Sequence, residues 1–278
     1  MTRASEGHAF VAPLFVPANR RERFVKAAAS GADAVFIDLE DAVPAGDKTA
    51  AREGLEAGFT DMPVYVRVNA DGTVWHDADI EAIAALPLAG LVLPKAEAGP
   101  ALRRVAGRQA VIALIETARG LATAREIAAT PGVVRLAFGS IDFCADVGCQ
   151  HTRQALLAAR SEIVLASRLA GLPAPLDGVT TSLTDIALVE DDARHARELG
   201  FGGKLCIHPV QIAGVFSGFS PTAAEIEWAR KMLDNADGAS VVDGAMVDAP
   251  VRARARAILG ILDRSPRKPI DSSADEAR

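Results

Sequence analysis

The chain has 278 residues, half of them apolar, and its 30 Lys and Arg against 36 Asp and Glu give a formal net charge of −6. The length suits one large α/β domain or two small ones, and the scattered basic residues form no stripe that would bind nucleic acid. Strand-sized apolar runs and only three cysteines predict a cytoplasmic protein with reduced thiols, no disulfide framework and no membrane span.

In chain order, the first apolar run, Ala9–Val16, is too short to cross a bilayer and lacks a signal-peptide cleavage pattern. About eight short apolar runs then recur along the chain, several of them apolar at consecutive positions. Such runs are typical of parallel strands that are buried on both faces. The predicted strands are Pro13–Pro17, Ala34–Leu39, Pro63–Val68, Gly90–Pro94, Ala110–Ile115, Arg135–Phe138, Leu176–Val179 and Gly203–Ile207.

Ala-rich segments between these runs have the composition of helices. They include Arg21–Ser30, Asp47–Ala57, Thr117–Ala129 and Thr184–Leu199. Repeated βα units predict an α/β fold, either an open sheet or a (β/α)₈ TIM barrel. The barrel is favoured because most strands end in charged or polar residues, which a barrel gathers at one rim. These residues are Asn19, Arg20, Asp38, Glu40, Asp41, Arg67, Asn69, Lys95, Glu116, Asp142, Asp177 and His208.

After His208 the pattern changes, so we expect a barrel over residues 1–219 followed by extra C-terminal helices over 220–264. Pro221–Asp237 and Ala249–Asp263 have helical composition, and the stretch Gly238–Val247 joins them. Such an extension would cap the barrel or contact an adjacent subunit. Residues 265–278 are polar, and we predict a disordered tail there.

Three carboxylates fall within four residues at the end of the second predicted strand: Asp38, Glu40 and Asp41. They repel one another unless a cation or hydrogen-bond donors lie nearby. Their position also suits the acidic start of a helix. Because Asp38 and Glu40 alternate across the strand end, at least one of them must face the rim.

Glu116 and Asp142 follow two consecutive predicted strands, so their carboxylates can converge at the rim. Two hard anionic oxygens, completed by water and substrate, suit Mg²⁺, which seldom receives a full protein cage. Zinc is disfavoured because no His-rich or Cys-rich cluster competes. Either residue alone could instead cap a helix, and the pair together favours a metal site.

Arg67 ends the third predicted strand, where a permanent cation needs an anion nearby. It either neutralises Asp38 or Glu40, or clamps a carboxylate or enolate oxygen of a substrate. Lys95 is a weaker candidate, for a Schiff base, although the nearby carboxylates favour a paired ammonium. His208 suits a structural hydrogen bond as well as a proton shuttle. Gly139 is interpreted as a turn glycine, and Cys144 and Cys206 as packing residues.

Together these residues resemble the citrate lyase β-subunit-like proteins of the HpcH/HpaI aldolase superfamily, from about Leu14 to about Leu262. The order and spacing of the matching stretches are specific, whereas any one alone is weak. They are Leu14–Pro17 with Arg20, Ser30–Asp33, Asp38–Val43 with Lys48 and Arg52, Val66–Asn69, Leu93–Lys95, Ile115–Gly120, Phe138-Gly139 with Asp142 and Asp146, Cys206–Pro209 with Gln211, and Gly244–Pro250. Ala18, Cys144-Ala145 and Val147 depart from the family's usual residues.

The resemblance implies Mg²⁺ held by Glu116 and Asp142, with Arg67 contacting the substrate. It further implies that Asp38 and Glu40 act beside the metal or through water, and that Arg20 and Lys48 lie near the thioester arm. Asp248 is similar to an acid/base carboxylate that family members donate from an adjacent subunit. The family's oligomers are often trimers, so we expect a homotrimer or hexamer.

The implied function is Mg²⁺-dependent carbon–carbon cleavage of a β-hydroxyacyl thioester such as malyl-CoA or citramalyl-CoA. The products would be an acyl-CoA and a 2-oxo acid, or the enzyme would run in reverse. Three alternatives remain: a citryl thioester lyase subunit that acts on an acyl carrier protein, an acyl-CoA thioesterase, and a catalytically silent barrel that serves as a binding module.

Overall fold

A computed structural model describes residues 7–234, 240–242 and 245–262 of the chain. The chain divides into two compact units, Met1–Phe219 and Ser220–Arg278. In the described residues, no helix is long and apolar enough to cross a membrane.

The first unit contains a parallel sheet of eight strands, paired in sequence order within the described chain. The strands are β1 (Pro13–Pro17), β2 (Ala34–Asp38), β3 (Val64–Arg67), β4 (Gly90–Leu93), β5 (Val111–Ile115), β6 (Val133–Phe138), β7 (Leu176–Asp177) and β8 (Gly203–Lys204). The ring closes where Leu14 of β1 pairs in parallel with Cys206, just after β8. There the Cys206 N–H donates to the Pro13 carbonyl at 2.9 Å. The predicted (β/α)₈ barrel is therefore confirmed.

Helices separate successive strands, as the alternating pattern predicts. They are α1 (Phe24–Ala28), α2 (Lys48–Glu53), α3 (His76–Ile83), α4 (Pro100–Ala106), α5 (Ala118–Ala122), α6 (Ala124–Ala129), α7 (Ser140–Val147), α8 (Arg153–Leu169), α9 (Ile186–Leu199) and α10 (Ile212–Phe219). The segment predicted as one helix from Thr117 to Ala129 is two. It breaks at Thr123, whose hydroxyl donates to the Arg119 carbonyl at 3.0 Å. Such a bond back into the preceding turn bends helices.

Burial explains the continuous apolar strands. Every residue of β2 and of β5 is buried, because alternate side chains pack inside the barrel and against the surrounding helices. Phe36 and Ile112 belong to the interior cluster, whereas Ile37 and Ile115 belong to the cluster beneath the helices.

The second unit pairs α11 (Ala223–Leu233) with α12 (Ala249–Leu262), and α11 begins with a capping box between Thr222 and Glu225. The predicted connection between the two helices includes an antiparallel pair of short strands, β9 (Ser240–Val242) and β10 (Ala245–Val247). Contact of this unit with another subunit stays a prediction. The tail predicted over 265–278 lies outside the described residues.

Candidate active site

The charged residues predicted at the rim follow strands β2 to β6. Asp38 and Arg67 end β2 and β3, Glu116 directly follows β5, and Asp142 lies four residues after β6. Parallel strands of a barrel direct their carboxyl ends to one rim. An open cavity of about 410 Å³ lies there, with all four of these residues in its lining. Its apolar walls are formed by Phe15, Leu114, Phe138, Val179, Leu205 and Ile207.

Glu116 is the most deeply buried carboxylate of this cavity, at 1% exposure. Its Oε1 accepts the backbone N–H of Lys95 at 2.7 Å. Its Oε2 packs against Gly139, where a Cβ atom would lie 2.1 Å from that oxygen. Burial raises the pKa of Glu116 to about 8, and the negative charge of Glu40 adds to the shift. The sequence interpretation of Gly139 as a turn glycine therefore missed its close approach to Glu116.

Asp142 lies in the first turn of α7, where the helix dipole favours negative charge. Its side chain is 42% exposed and stays open to the cavity. Gly139 precedes the helix and makes no side-chain cap. The structure thus places one buried carboxylate, Glu116, and one accessible carboxylate, Asp142, on the same cavity wall.

Lys95 brings three carboxylates together. Its Nζ lies 3.1 Å from Glu40 Oε1, 3.8 Å from Glu116 Oε1 and 4.0 Å from Asp142 Oδ1. Burial lowers the pKa of Lys95, but Glu116 and Glu40 outweigh it, so the pKa is raised and the ammonium stays charged. The residue has a left-handed backbone with φ of 48°. The sequence favoured a paired ammonium over a Schiff base for Lys95, and these three carboxylates show the pairing.

This arrangement passes a chemical test for a divalent cation. Three carboxylates share a single ammonium, so the cluster has an excess of negative charge. Glu116 Oε1 and Asp142 Oδ1 lie 3.8 and 4.0 Å from the same Lys95 Nζ atom, so both carboxylates face the position of one cation. In the described residues, no three His, Cys, Asp or Glu side chains form a preassembled metal cage. Two carboxylates completed by water and substrate match the preference of Mg²⁺.

Arg67 forms a bidentate ion pair with Asp38, with Nε and Nη2 each 2.7 Å from a carboxylate oxygen. Its Nη1 lies 3.2 Å from Glu40 Oε2, without hydrogen-bond geometry, and 3.5 Å from Asp41 Oδ2. The guanidinium also stacks on the ring of Phe15. Burial lowers the pKa of Arg67, but the Asp38 carboxylate more than compensates and the pKa is raised. The structure shows that Arg67 neutralises Asp38, and its contact with a substrate stays a prediction that its place in the cavity lining permits.

Two predicted substrate-binding cations do not line the cavity. Lys48 is buried, and its ammonium donates to the carbonyls of Leu39 and Glu40 and to Asn69 Oδ1, at 2.7–2.8 Å. These three acceptors take all its hydrogens, so Lys48 supports the loop after β2. Arg20 is exposed and pairs with Glu22 at 3.2 Å.

Asp248 belongs to the second unit, where it precedes α12. Its Oδ1 accepts the backbone N–H of Val251 at 3.2 Å, as a helix-capping residue does. Its acid/base role stays a prediction. His208 also acts as a cap, because its Nδ1 accepts the N–H of Val210 at 3.2 Å. This geometry favours the structural interpretation of His208.

Comparisons with known proteins agree with this geometry. Residues 12–209 match the family model described as HpcH/HpaI aldolase/citrate lyase. The chain is 40% identical to a citrate lyase subunit beta-like protein of Deinococcus radiodurans, over 88% of this chain and 95% of that protein. It is 33% identical to a (3S)-malyl-CoA thioesterase of Cereibacter sphaeroides, over 88% and 92%. A crystal structure of CitE from Mycobacterium tuberculosis in complex with magnesium, acetoacetate and coenzyme A superposes with a TM-score of 0.83. That match has 38% identity and covers 91% of this chain and 98% of CitE.

Proposed function

Because the chain belongs to the HpcH/HpaI aldolase/citrate lyase family, we propose that it is a Mg²⁺-dependent carbon–carbon lyase. Its substrate is a β-hydroxyacyl-CoA of the malyl-CoA or citramalyl-CoA type, and its products are an acyl-CoA and a 2-oxo acid. The same site can run the reverse condensation. One observation carries the proposal: Glu116, Asp142 and Glu40 converge on a single ammonium at the barrel rim.

Glu116 and Asp142 are the residues that would hold Mg²⁺. When bound, the ion would act as a Lewis acid that polarises the oxygens of the hydroxy- or oxo-acid half of the substrate. The CitE structure in complex with magnesium, acetoacetate and coenzyme A supports both the metal and the thioester class. The raised pKa of Glu116, about 8, indicates a carboxyl that gains from a nearby positive charge.

Arg67 would stabilise the thioester enolate that forms when the carbon–carbon bond breaks. Asp38 holds Nε and Nη2 of the guanidinium, so a substrate oxygen would approach Nη1, which lies beside Glu40 and Asp41. Because the pKa of Arg67 is raised, it supplies charge without losing a proton. Glu40 has a supporting role, since its two oxygens lie beside Lys95 and Arg67.

Cleavage removes one proton from the substrate hydroxyl and adds one to the enolate carbon. We propose that Asp248 exchanges the proton at carbon and reaches the barrel rim of a neighbouring subunit in a homotrimer or hexamer. Asp248→Asn keeps a side-chain oxygen for the Val251 N–H and removes only the proton transfer. The variant should lose about a hundredfold or more in kcat with unchanged Mg²⁺ affinity. Mixed oligomers with an Arg67-deficient variant should regain part of the activity, and no regain would contradict action between subunits.

A thioesterase is the second candidate, and the malyl-CoA thioesterase relative favours it. Such an enzyme would bind the same substrate at the same metal and add water to the thioester. A lyase subunit that uses an acyl carrier protein is the third.

Product analysis separates these candidates. Purified protein would be incubated with Mg²⁺ and malyl-CoA or citramalyl-CoA, and products identified by mass. An acyl-CoA with a 2-oxo acid supports the lyase, and free CoA with a hydroxy acid supports the thioesterase. Turnover of a citryl acyl carrier protein alone supports the third candidate. Absence of all three reactions, together with no Mg²⁺ binding by calorimetry, would leave a silent binding module.

A further inference from the structure

Two of the three cysteines lie in contact at the end of α7, the helix that carries Asp142. The Sγ atoms of Cys144 and Cys149 are 3.6 Å apart. Neither thiol has a role in the proposed lyase reaction.

The backbone explains why the two thiols meet. Gly148 follows the helix in the left-handed conformation, with φ of 76°. The N–H groups of Gly148 and Cys149 both donate to the Cys144 carbonyl, at 2.9 and 3.1 Å. The Cys149 bond is the 6→1 bond of a Schellman motif and the Gly148 bond is the 5→1 bond of an αL cap, so the chain beyond the helix folds back over the last turn. Such a motif often brings two apolar side chains together, and here it brings two thiols.

Exposure separates the three thiols. Cys149 is partly exposed, whereas Cys144 is 8% and Cys206 0% exposed. Burial raises the pKa of Cys206 to about 12. A reagent from solvent therefore reaches Cys149 first. Cys206 lies at the barrel seam and serves as an internal control.

We propose that Cys144 and Cys149 form a reversible intramolecular disulfide when the protein meets a peroxide. The Cys149 thiolate attacks a peroxide oxygen, so a sulfur–oxygen bond forms, the oxygen–oxygen bond breaks, and an alcohol or water leaves. The Cys144 sulfur then attacks the sulfenic acid, a sulfur–sulfur bond forms and water leaves. The two thiols lose two protons and two electrons in total, and the peroxide takes them up as it is reduced to an alcohol or water and a second water.

The proximity of the thiols favours the second step, because attack within a contact pair needs no encounter step. A disulfide requires a sulfur separation of about 2.05 Å, so the side chains must close from 3.6 Å. Cys149 lies beyond the end of the helix and is partly exposed, so its side chain is the one that would move. The disulfide would restrain the C-terminal end of α7, whereas Asp142 lies in the first turn of the same helix.

Thiol counting and intact mass test the proposal on the folded full-length protein. After hydrogen peroxide and then catalase, the free thiols measured in denaturant should fall from three to one. The monomer should lose the mass of two hydrogens, peptide mapping should join Cys144 to Cys149, and dithiothreitol should restore three thiols.

Serine variants supply matched controls, with folding checked by circular dichroism. Cys144→Ser and Cys149→Ser should each form no internal disulfide, whereas Cys206→Ser should still lose both remaining thiols. Retention of three thiols in the wild type would overturn the proposal. So would loss of Cys206 first, a disulfide between chains, or oxidation of Cys149 without bonding to Cys144.

Discussion

Two clusters of charged side chains follow strands of the same barrel and differ in their balance of charge. In the first, the buried cluster, Asp177 at the end of β7 meets Arg160 from α8 and Lys204 from β8. Arg160 Nε lies 2.8 Å from one oxygen of Asp177, and Lys204 Nζ lies 3.2 Å from the other. All three side chains are buried, and two cations face one carboxylate.

The second, the rim cluster, has the opposite balance. Glu40, Glu116 and Asp142 surround the single ammonium of Lys95, and the cluster opens to the cavity through Asp142. Its negative charge exceeds its positive charge, so a further cation would be favoured there.

The pKa values of Asp177 and Glu116 reflect this difference in charge balance between the two clusters. Burial raises the pKa of Asp177, but Lys204 and Arg160 outweigh it and hold the pKa below its usual value. Burial and Glu40 together raise the pKa of Glu116 to about 8. A carboxylate after a barrel strand is therefore structural where the protein supplies its cations, and a candidate ligand where it does not.

The largest loss of activity is expected from a substitution in the rim cluster. Glu116→Gln keeps the shape of the side chain and removes the carboxylate that would bind the metal. We expect Mg²⁺-dependent cleavage to fall about a thousandfold or more, because transition-state stabilisation of several kcal/mol depends on the metal. Steady-state kinetics measure the loss, and circular dichroism should give the same fold as the wild type. Full activity in this variant would overturn the site assignment.

The corresponding substitution in the buried cluster should reduce stability and leave activity unchanged. Asp177→Asn leaves Arg160 and Lys204 buried without their anion, so the free energy of unfolding should fall by about 3 kcal/mol. Urea denaturation measures this loss. The folded protein should keep its kcat and its Mg²⁺ affinity, since Asp177 does not line the cavity. A stable but inactive Asp177→Asn variant would contradict the assignment of a structural role to the buried cluster and a functional role to the rim cluster.

Most of the barrel could be predicted from the sequence, because burial on both faces leaves continuous apolar runs. Each of the eight predicted strands overlaps an observed one. The carboxyl ends of β7 and β8 were predicted too far along the chain. Each strand has two residues, whereas apolar residues such as Val179 and Ile207 continue beyond them to line the cavity. The antiparallel pair β9 and β10 was missed, since its strands have three residues each and leave no clear alternation.

The site was only partly predictable. The approach of Glu116 and Asp142 follows from their places after consecutive strands, which the sequence reveals. The role of Lys95 depends on a left-handed backbone, and the inward turn of Lys48 depends on three oxygen acceptors around it. Asp177 and Asp142 look alike in the sequence. What separates them are partners from other parts of the chain, which local pattern does not indicate.

A smaller effect, on Mg²⁺ affinity, is expected when the charge of the rim cluster is changed. Lys95→Met removes the ammonium beside three carboxylates and keeps a long, flexible side chain. We expect Mg²⁺ to bind about tenfold tighter, equivalent to about 1.4 kcal/mol, because the ion no longer meets a competing cation. Calorimetry with the matched variant Lys26→Met, which changes an exposed lysine of α1, supplies the control. Weaker binding in Lys95→Met would mean that the ammonium helps to hold the ligands in place.

The smallest effect, taken per pH unit, is the pH dependence of Mg²⁺ binding. The pKa of Glu116 is raised to about 8, so the metal-free folded chain holds a proton there more tightly than the unfolded chain does. The stability of the metal-free protein should therefore fall as pH rises from about 4.5 to about 8, where folded Glu116 becomes charged.

Mg²⁺ must displace this proton, so the dissociation constant of Mg²⁺ should decrease several-fold per pH unit between about 6 and 8 and then level off. Calorimetry across this range measures the slope. Asp177→Asn should keep the slope, because the pKa of Asp177 is lowered and that group is ionised throughout. A flat profile in the wild type would mean that Glu116 is already charged without the metal, and the contrast in charge between the two clusters would then be smaller than their geometry indicates.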